Sequence, residues 1–249
     1  MKYLLGALLI SLTSTVHAFS VYEITEPDGF PAFAENENIL TWGNTNSLGD
    51  AASVSYSFAD SNYSCHDSLT CFSLENFMPV GYQDVITSAF DTWASVTNLT
   101  FNEVDDQSGN IVLGGESIDG INNVLAHSST SYTVAHNTIE SISYISTNSI
   151  HFDDAETWSI EGSPAAGEFD LFTIALHEIG HSLGLRHTDD LDALMYPYYE
   201  GTNTLNTDDI AGIQKLYGPI STVPEPSTYL LFLVGLAFVT GLSRRQTIQ

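Results

Sequence analysis

The sequence predicts an α+β domain over residues 38–218. Three observations carry this: an alternating apolar segment near residue 54, apolar residues at three- and four-residue steps over 82–96 followed later by two segments with helix start or stop signals, and a set of short strand-like runs between the first helical segment and the second. A chain of 249 residues suits one ordinary domain plus processing segments, and an apolar fraction of 43% is enough for a packed core.

Residues 19–48 are polar and turn-rich, with Pro27, Gly29, Pro31 and Gly43, so 19–37 reads as a leader segment. From Ser53 the pattern alternates, with Val54, Tyr56 and Phe58 on one face, a half-buried strand. Ala59–Met78 reads as a loop. Tyr82, Val85, Ile86, Ala89, Phe90, Trp93 and Val96 mark an amphipathic helix. Leu99–Phe101, Ile111–Leu113, Asn123–Ser128, Ile142–Ile145 and Ser149–Phe152 read as strands separated by Gly and Asn clusters. A second helix starts at the N-cap Asp170 and runs from Leu171 to about Leu183 before Gly184, and a last helix, Asp208–Tyr217, stops at Gly218.

The ends read as addresses. Lys2, the apolar run Leu4–Leu12 and Val16-His17-Ala18 form a secretory signal over residues 1–18, cut after Ala18. At the other end, a linker over 219–227 holds Val223-Pro224-Glu225-Pro226-Ser227. An apolar helix (228–243) and a basic tail (244–249) with Arg244 and Arg245 follow. The run Thr228–Leu242 would span about 22 Å as a helix, short of a ~30 Å hydrocarbon core, and flanking arginines extend such a reach from the cytoplasmic side. This segment resembles the bacterial PEP-CTERM sorting signal. The resemblance implies export through the inner membrane, transient anchoring, and cleavage by an exosortase-type enzyme that leaves the protein at the cell surface or outside it.

Of 31 acidic residues only Glu225 lies outside 19–223, and that region has two basic residues, Arg186 and Lys215, for a net charge of −28. Such a surface repels phosphate backbones and anionic lipid, so nucleic acid is excluded as a partner. It tolerates self-repulsion best where salt or bound cations screen it. Cys65 and Cys71 are close together, and in an oxidising exterior they are expected to form a local disulfide. A monomer is expected.

The most informative string is His177-Glu178-Ile179-Gly180-His181-Ser182-Leu183-Gly184-Leu185-Arg186-His187. On a helix His177 and His181 stand one turn apart on one face, so both imidazoles can reach one metal. Gly184 lets the chain leave the helix in a conformation that a β-carbon hinders, and the turn can return His187 as third ligand. Three imidazoles leave the fourth position of a tetrahedral zinc to water, the open arrangement of catalytic sites. Glu178 is placed as general base for that water, with the metal as Lewis acid.

The full string is the metzincin signature, and the residues after it resemble the matrixin branch: Ala193-Leu194-Met195-Tyr196-Pro197, then Asp208-Asp209-Ile210-Ala211-Gly212-Ile213-Gln214-Lys215-Leu216-Tyr217-Gly218. Upstream, Ala89–Phe101 is similar to the first helix and next strand of that family, so the likeness runs over about 180 residues. It implies a twisted, mostly parallel sheet with an active-site helix, a Met-turn and a C-terminal helix. It also implies an exported zinc metalloendopeptidase with one catalytic zinc and a protein or peptide substrate. Met195 would be the Met-turn residue, packed beneath the zinc without ligating it. Leu125 and Ala126 resemble the edge strand that pairs with extended substrate, and Pro197 and Tyr199 the wall of a substrate pocket. Asp119, Asp153 and Glu156, with the Gly120 carbonyl, would bind calcium.

The chain also departs from the family. His127 and His151 occupy two positions of a structural zinc site, but the His-x-Asp pair expected before Asp119 is replaced by Val112-Leu113-Gly114. His136 or Glu116 could substitute, yet nothing in their spacing demands either, so no second zinc is read. The Pro-Arg-Cys-Gly propeptide pattern is absent, which leaves latency unexplained unless Cys65 caps the metal. The alternative function is a surface or matrix adhesion protein on an inactive metzincin scaffold, against which Glu178 and all three histidines argue. A membrane-anchored regulatory protease with one dedicated partner is a third.

Overall fold

The computed structural model describes residues 16–17, 39–43, 47–60, 65–67, 71–105, 108–134 and 142–220. The signal sequence apart from the backbone of Val16–His17, the leader 19–37, His136 and everything beyond residue 220 lie outside the described residues.

Among the described residues nine strands and three α-helices follow in chain order: β1 (Val16–His17), β2 (Ile39–Thr41), β3 (Ala52–Phe58), α1 (Tyr82–Ala94), β4 (Leu99–Glu103), β5 (Ile111–Glu116), β6 (Ala126–Val134), β7 (Ile142–Asp153), β8 (Trp158–Ser159), β9 (Phe169–Asp170), α2 (Leu171–Ser182) and α3 (Thr207–Tyr217). The main sheet has the order β1-β6-β7-β5-β3-β4, with β2 also on β7. All its pairings are parallel except those of β6 with β1 and with β7. The expected α+β architecture with a mostly parallel sheet is therefore present.

Helices α1 and α3 each bury one apolar face, whereas α2 is buried almost all round. α1 buries Tyr82, Ile86, Ala89, Phe90 and Trp93 against α2 and β4, and α2 lies against β6 and β7. Between the layers Tyr56 of β3 stacks on Phe90 of α1 with ring centroids 4.1 Å apart, a contact whose worth lies mostly in buried area.

The strands differ from the expectation in four places. Ile142–Ile145 and Ser149–Phe152 are one continuous strand, because β7 is held along its whole length by β6 and on its other side by β5 and β2. The strand expected at Asn123–Ser128 begins later and runs to Val134. Within the turn-rich 19–48 region, Ile39–Thr41 pairs in parallel with Ile142–Tyr144. Finally, a short 3-10 helix, Leu74–Asn76, and a bridge between Phe72 and Gly115 interrupt the loop Ala59–Met78.

Candidate metal centre

Helix α2 starts where Asp170 accepts the backbone N–H of Thr173 at 3.1 Å and its hydroxyl at 2.6 Å, the N-cap expected from sequence. Eleven of its twelve residues are buried, so its position is set by the core on all sides. Two indoles fix it further: Trp93 Nε1 donates to Leu176 O at 2.9 Å, and Trp42 Nε1 to Ser182 O at 2.8 Å.

The helix ends as its glycine requires. Leu185 N–H closes on Gly180 O at 3.0 Å, and Gly184 takes φ +99°, in the left-handed region. A Cβ there would stand 2.2 Å from Leu40 O, so β2 lies directly against the turn. The loop that follows returns His187 to the helix and is closed by Thr188 N–H on Met195 O at 3.1 Å.

These elements bring three Nε2 atoms to one point. His177 and His181 lie 3.0 Å apart there, His181 and His187 3.1 Å, and His177 and His187 3.3 Å. The edge of a tetrahedron with zinc–nitrogen bonds of ~2.05 Å is about 3.3 Å. Nδ1 of His177 donates to Leu194 O at 2.7 Å and Nδ1 of His181 to Leu185 O at 2.9 Å, so in both rings the proton sits on the far nitrogen. The Nε2 lone pairs then face each other at contact distance, an arrangement that a shared cation stabilises and that neutral rings alone would not. Burial pushes the His181 pKa down to about 4, and burial with the neighbouring His181 charge pushes His177 well below its usual value. Both rings therefore stay neutral and able to ligate.

Glu178, beside the first ligand, is fully buried, and neither carboxylate oxygen has a hydrogen-bond partner among the described residues. Burial raises its pKa well above the ordinary carboxylate range, the direction a general base needs to work near neutrality. Met195 packs under the ligand helix: a Cβ on Gly180 would stand 2.5 Å from Met195 Sδ, so the missing side chain is the space the methionine fills. Asp209, at the third position of α3, accepts the N–H groups of Leu194 at 2.9 Å and Met195 at 3.0 Å. Because Leu194 O in turn orients His177, the closing helix is tied to the metal centre through one peptide segment.

The other sequence-predicted residues fall in three places. Ala126 opens β6, and Leu125, one residue before it, accepts Asp153 N–H at 2.9 Å. Tyr199 takes Asp170 N–H on its hydroxyl at 3.3 Å and helps line a pocket with Thr173, Leu194, Tyr196 and Tyr198, and Pro197 lies within that segment. Asp153 is buried and accepts N–H groups from Ile118, Asp119, Gly120 and Ala155 at 3.0–3.4 Å, while Glu156 accepts Asn122 N–H. Burial first, then the nearby Asp153 and Asp119 carboxylates, raise the Glu156 pKa.

Cys65 and Cys71 form the expected disulfide, so Cys65 is not a thiol cap for the metal. Asp209, Trp42 and Trp93 escaped the sequence reading as supports of the site, because their partners lie between 14 and 140 positions away.

The fold is thus a mostly parallel α+β domain in which three imidazoles converge on one point, a set that could hold a metal ion, with a buried carboxylate beside them. The family described as Matrixin, Peptidase M10, matches residues 71–218, more than half of the chain, and the chain belongs to that family. Residues 222–245 match the PEP-CTERM protein-sorting motif. Curated relatives include "Interstitial collagenase A" of Mus musculus, 37% identical over 164 residues, covering 63% of this chain and 34% of the relative. "Hatching enzyme" of Paracentrotus lividus is 41% identical over 149 residues, 55% of this chain and 22% of the relative. "Matrix metalloproteinase-16" of Homo sapiens is 36% identical over 183 residues, 63% of this chain and 28% of the relative. The chain thus spans about a third or less of the length of the relatives it matches.

Proposed function

We propose that this protein is an exported zinc-dependent metalloendopeptidase. The observation that carries the reading is the convergence of three Nε2 atoms at 3.0–3.3 Å, with the buried Glu178 adjacent in sequence to the first. Three imidazoles match the donor set of catalytic zinc, so His177, His181 and His187 would hold one ion. When bound, zinc supplies Lewis acidity for the scissile carbonyl and lowers the pKa of a coordinated water towards ~7.

The chain's own residues supply the rest. Glu178 takes the proton of the attacking water and passes it to the leaving amine, so one carboxylate serves as base and then as acid. The hydrogen bonds from His177 to Leu194 and from His181 to Leu185 keep the bare nitrogens directed inward. Substrate would lie extended along the β6 edge at Leu125 and Ala126, with one side chain in the pocket by Pro197 and Tyr199. The backbone pairing of β1 with β6, antiparallel at Val16↔Ser128 and His17↔His127, supports the capacity of that edge to accept an added strand. Removal of residues 1–18 on export would free it.

Calcium at Asp119, Gly120, Asp153 and Glu156 accounts for three mutually repelling carboxylates in one loop region. The PEP-CTERM motif supports recognition by an exosortase-type enzyme, with sorting to the cell surface or release. Among the described residues no helix is long and apolar enough to cross a membrane; the candidate anchor 228–243 lies outside them.

The test is cleavage of a peptide library by the zinc-loaded protein beside its Glu178→Gln variant. The variant is expected to bind zinc and to cleave about 10²–10⁴-fold more slowly. Equal cleavage by the two would remove Glu178 from the mechanism, and no cleavage by the zinc-loaded parent would favour the inactive adhesion scaffold.

A further inference from the structure

Two of the three convergent histidines stand on helix α2, but His187 reaches them only through the turn after it. The place of that third ring is therefore set by whatever holds the end of the helix. A helix leaves its last carbonyls without partners from its own turns. The first of them are met by the chain as it turns away. Ile179 O accepts Leu183 N–H at 3.0 Å, Gly180 O accepts Leu185 N–H at 3.0 Å, and His181 O accepts Gly184 N–H at 2.9 Å. The next two are met from distant parts of the sequence. Trp42 Nε1 donates to Ser182 O at 2.8 Å, and the Tyr217 hydroxyl donates to Leu183 O at 2.7 Å.

These two donors also hold each other. The Tyr217 oxygen accepts Trp42 N–H at 3.0 Å, so the phenol accepts from one neighbour and donates to the other. Tyr217 is fully buried and Trp42 nearly so. Burial pushes the Tyr217 pKa up, so the phenol keeps its proton and stays a donor. Leu40, two residues before Trp42, brings its carbonyl against Gly184, and its strand is fixed in turn by pairing with β7.

The turn held in this way serves two ligands. Leu185 accepts His181 Nδ1–H on its carbonyl at 2.9 Å, and His187 follows two residues later. A shift of Leu183 would therefore disturb the carbonyl that orients the second ligand and the path that returns the third. The clasp also reaches outside the matched family region, since Trp42 precedes residues 71–218 and Tyr217 lies near their end.

We propose that Trp42 and Tyr217 are positioning residues for the metal centre: together they clamp the last carbonyls of α2 and so fix His187 as third ligand. Strand β2 and the segment after it are then part of how the site is built, although they supply no ligand. The inference rests on the reading of His177, His181 and His187 as one metal site.

A double-mutant cycle on zinc affinity separates this role from a general contribution to stability. Full-chain parent and variants are titrated with zinc chloride against a chromophoric chelator, with folding followed by circular dichroism. The affinity followed is that of the site which His181→Gln removes. Tyr217→Phe is expected to fold and to bind zinc there about 10–100-fold more weakly. Trp42→Phe keeps an aromatic ring and the backbone N–H, and is expected to lose about 3–10-fold. In a His187→Ala background neither change is expected to cost more than about twofold further, because the ligand they position is gone. A folded Tyr217→Phe protein with parental affinity would overturn the proposal and leave the proposed function standing. Equal losses with and without His187 would do the same, as the sign of a general loosening. Should Tyr217→Phe fail to fold, Trp42→Phe decides by these same outcomes. A parent from which His181→Gln removes no zinc would refute the three-histidine site, and the clasp with it.

Discussion

The convergence of His177, His181 and His187 beside Glu178 was legible because it follows from spacing along one helix and the glycine turn after it. What the spacing could not show is their protonation. His181 keeps a neutral ring down to about pH 4 in the metal-free fold, against 6.5 in the unfolded chain. Its folded pKa is depressed, so as pH falls below 6.5 the unfolded state takes up a proton that the folded state refuses. Stability is lost across the window from 6.5 to about 4. For the metal-free protein the His181 share is about 2 kcal/mol between pH 7 and pH 5, and the pH dependence of the urea midpoint should be shallower in His181→Gln by about that much, with the His177 share remaining. Gly180 is a second such case. An alanine gains up to ~1 kcal/mol of helix propensity but meets Met195 Sδ at 2.5 Å and Trp93 Cζ2 at 3.0 Å. Gly180→Ala is expected to be destabilising by about 1–2 kcal/mol, read as a lowered denaturant midpoint; a raised midpoint would mean that the methionine yields freely.

Helices α1, α2 and α3 were found close to their observed bounds because apolar periodicity, an N-cap and terminal glycines are local signals. β2 was not, since three residues acquire strand character only by pairing with β7, about 100 positions later. The same long-range pairing merges two expected strands into β7. This matters for the site, because Leu40 of β2 packs its carbonyl against Gly184. Gly184→Ala should cost at least about 2 kcal/mol, from a left-handed φ and from a clash with a backbone atom that has little room to move. The link from α3 to the ligands makes a parallel prediction. Asp209→Ala would leave the buried N–H groups of Leu194 and Met195 unsatisfied, at about 1–3 kcal/mol each, and loosen the carbonyl that orients His177. Asp209 is a positioning residue, so thermal unfolding and zinc affinity should both fall, and Asp209→Asn should recover part of each.

For the molecule as a whole, thirty acidic side chains against two basic ones in residues 19–223 make repulsion a standing cost of compactness. Raising sodium chloride from about 0.02 to 0.5 M shortens the Debye length from roughly 20 to 4 Å and is expected to raise the melting temperature of the protein. A melting temperature independent of salt would show that this repulsion contributes little to the stability of the fold. Composition revealed that charge, and the order of elements revealed the α+β class. The family likeness put His127 and His151 in one place with Glu116 as a possible neighbour, but Asp67 was invisible, because it reaches His151 only when the disulfide-closed loop is laid on the sheet.

The central claim is that three imidazoles share one cation beside Glu178. Anomalous diffraction at the zinc edge from crystals of the zinc-loaded protein tests it most directly. The account predicts a peak about 2.0–2.1 Å from Nε2 of His177, His181 and His187 alike. Zinc bound by only one or two of these rings, or rings turned away from a common centre, would contradict it.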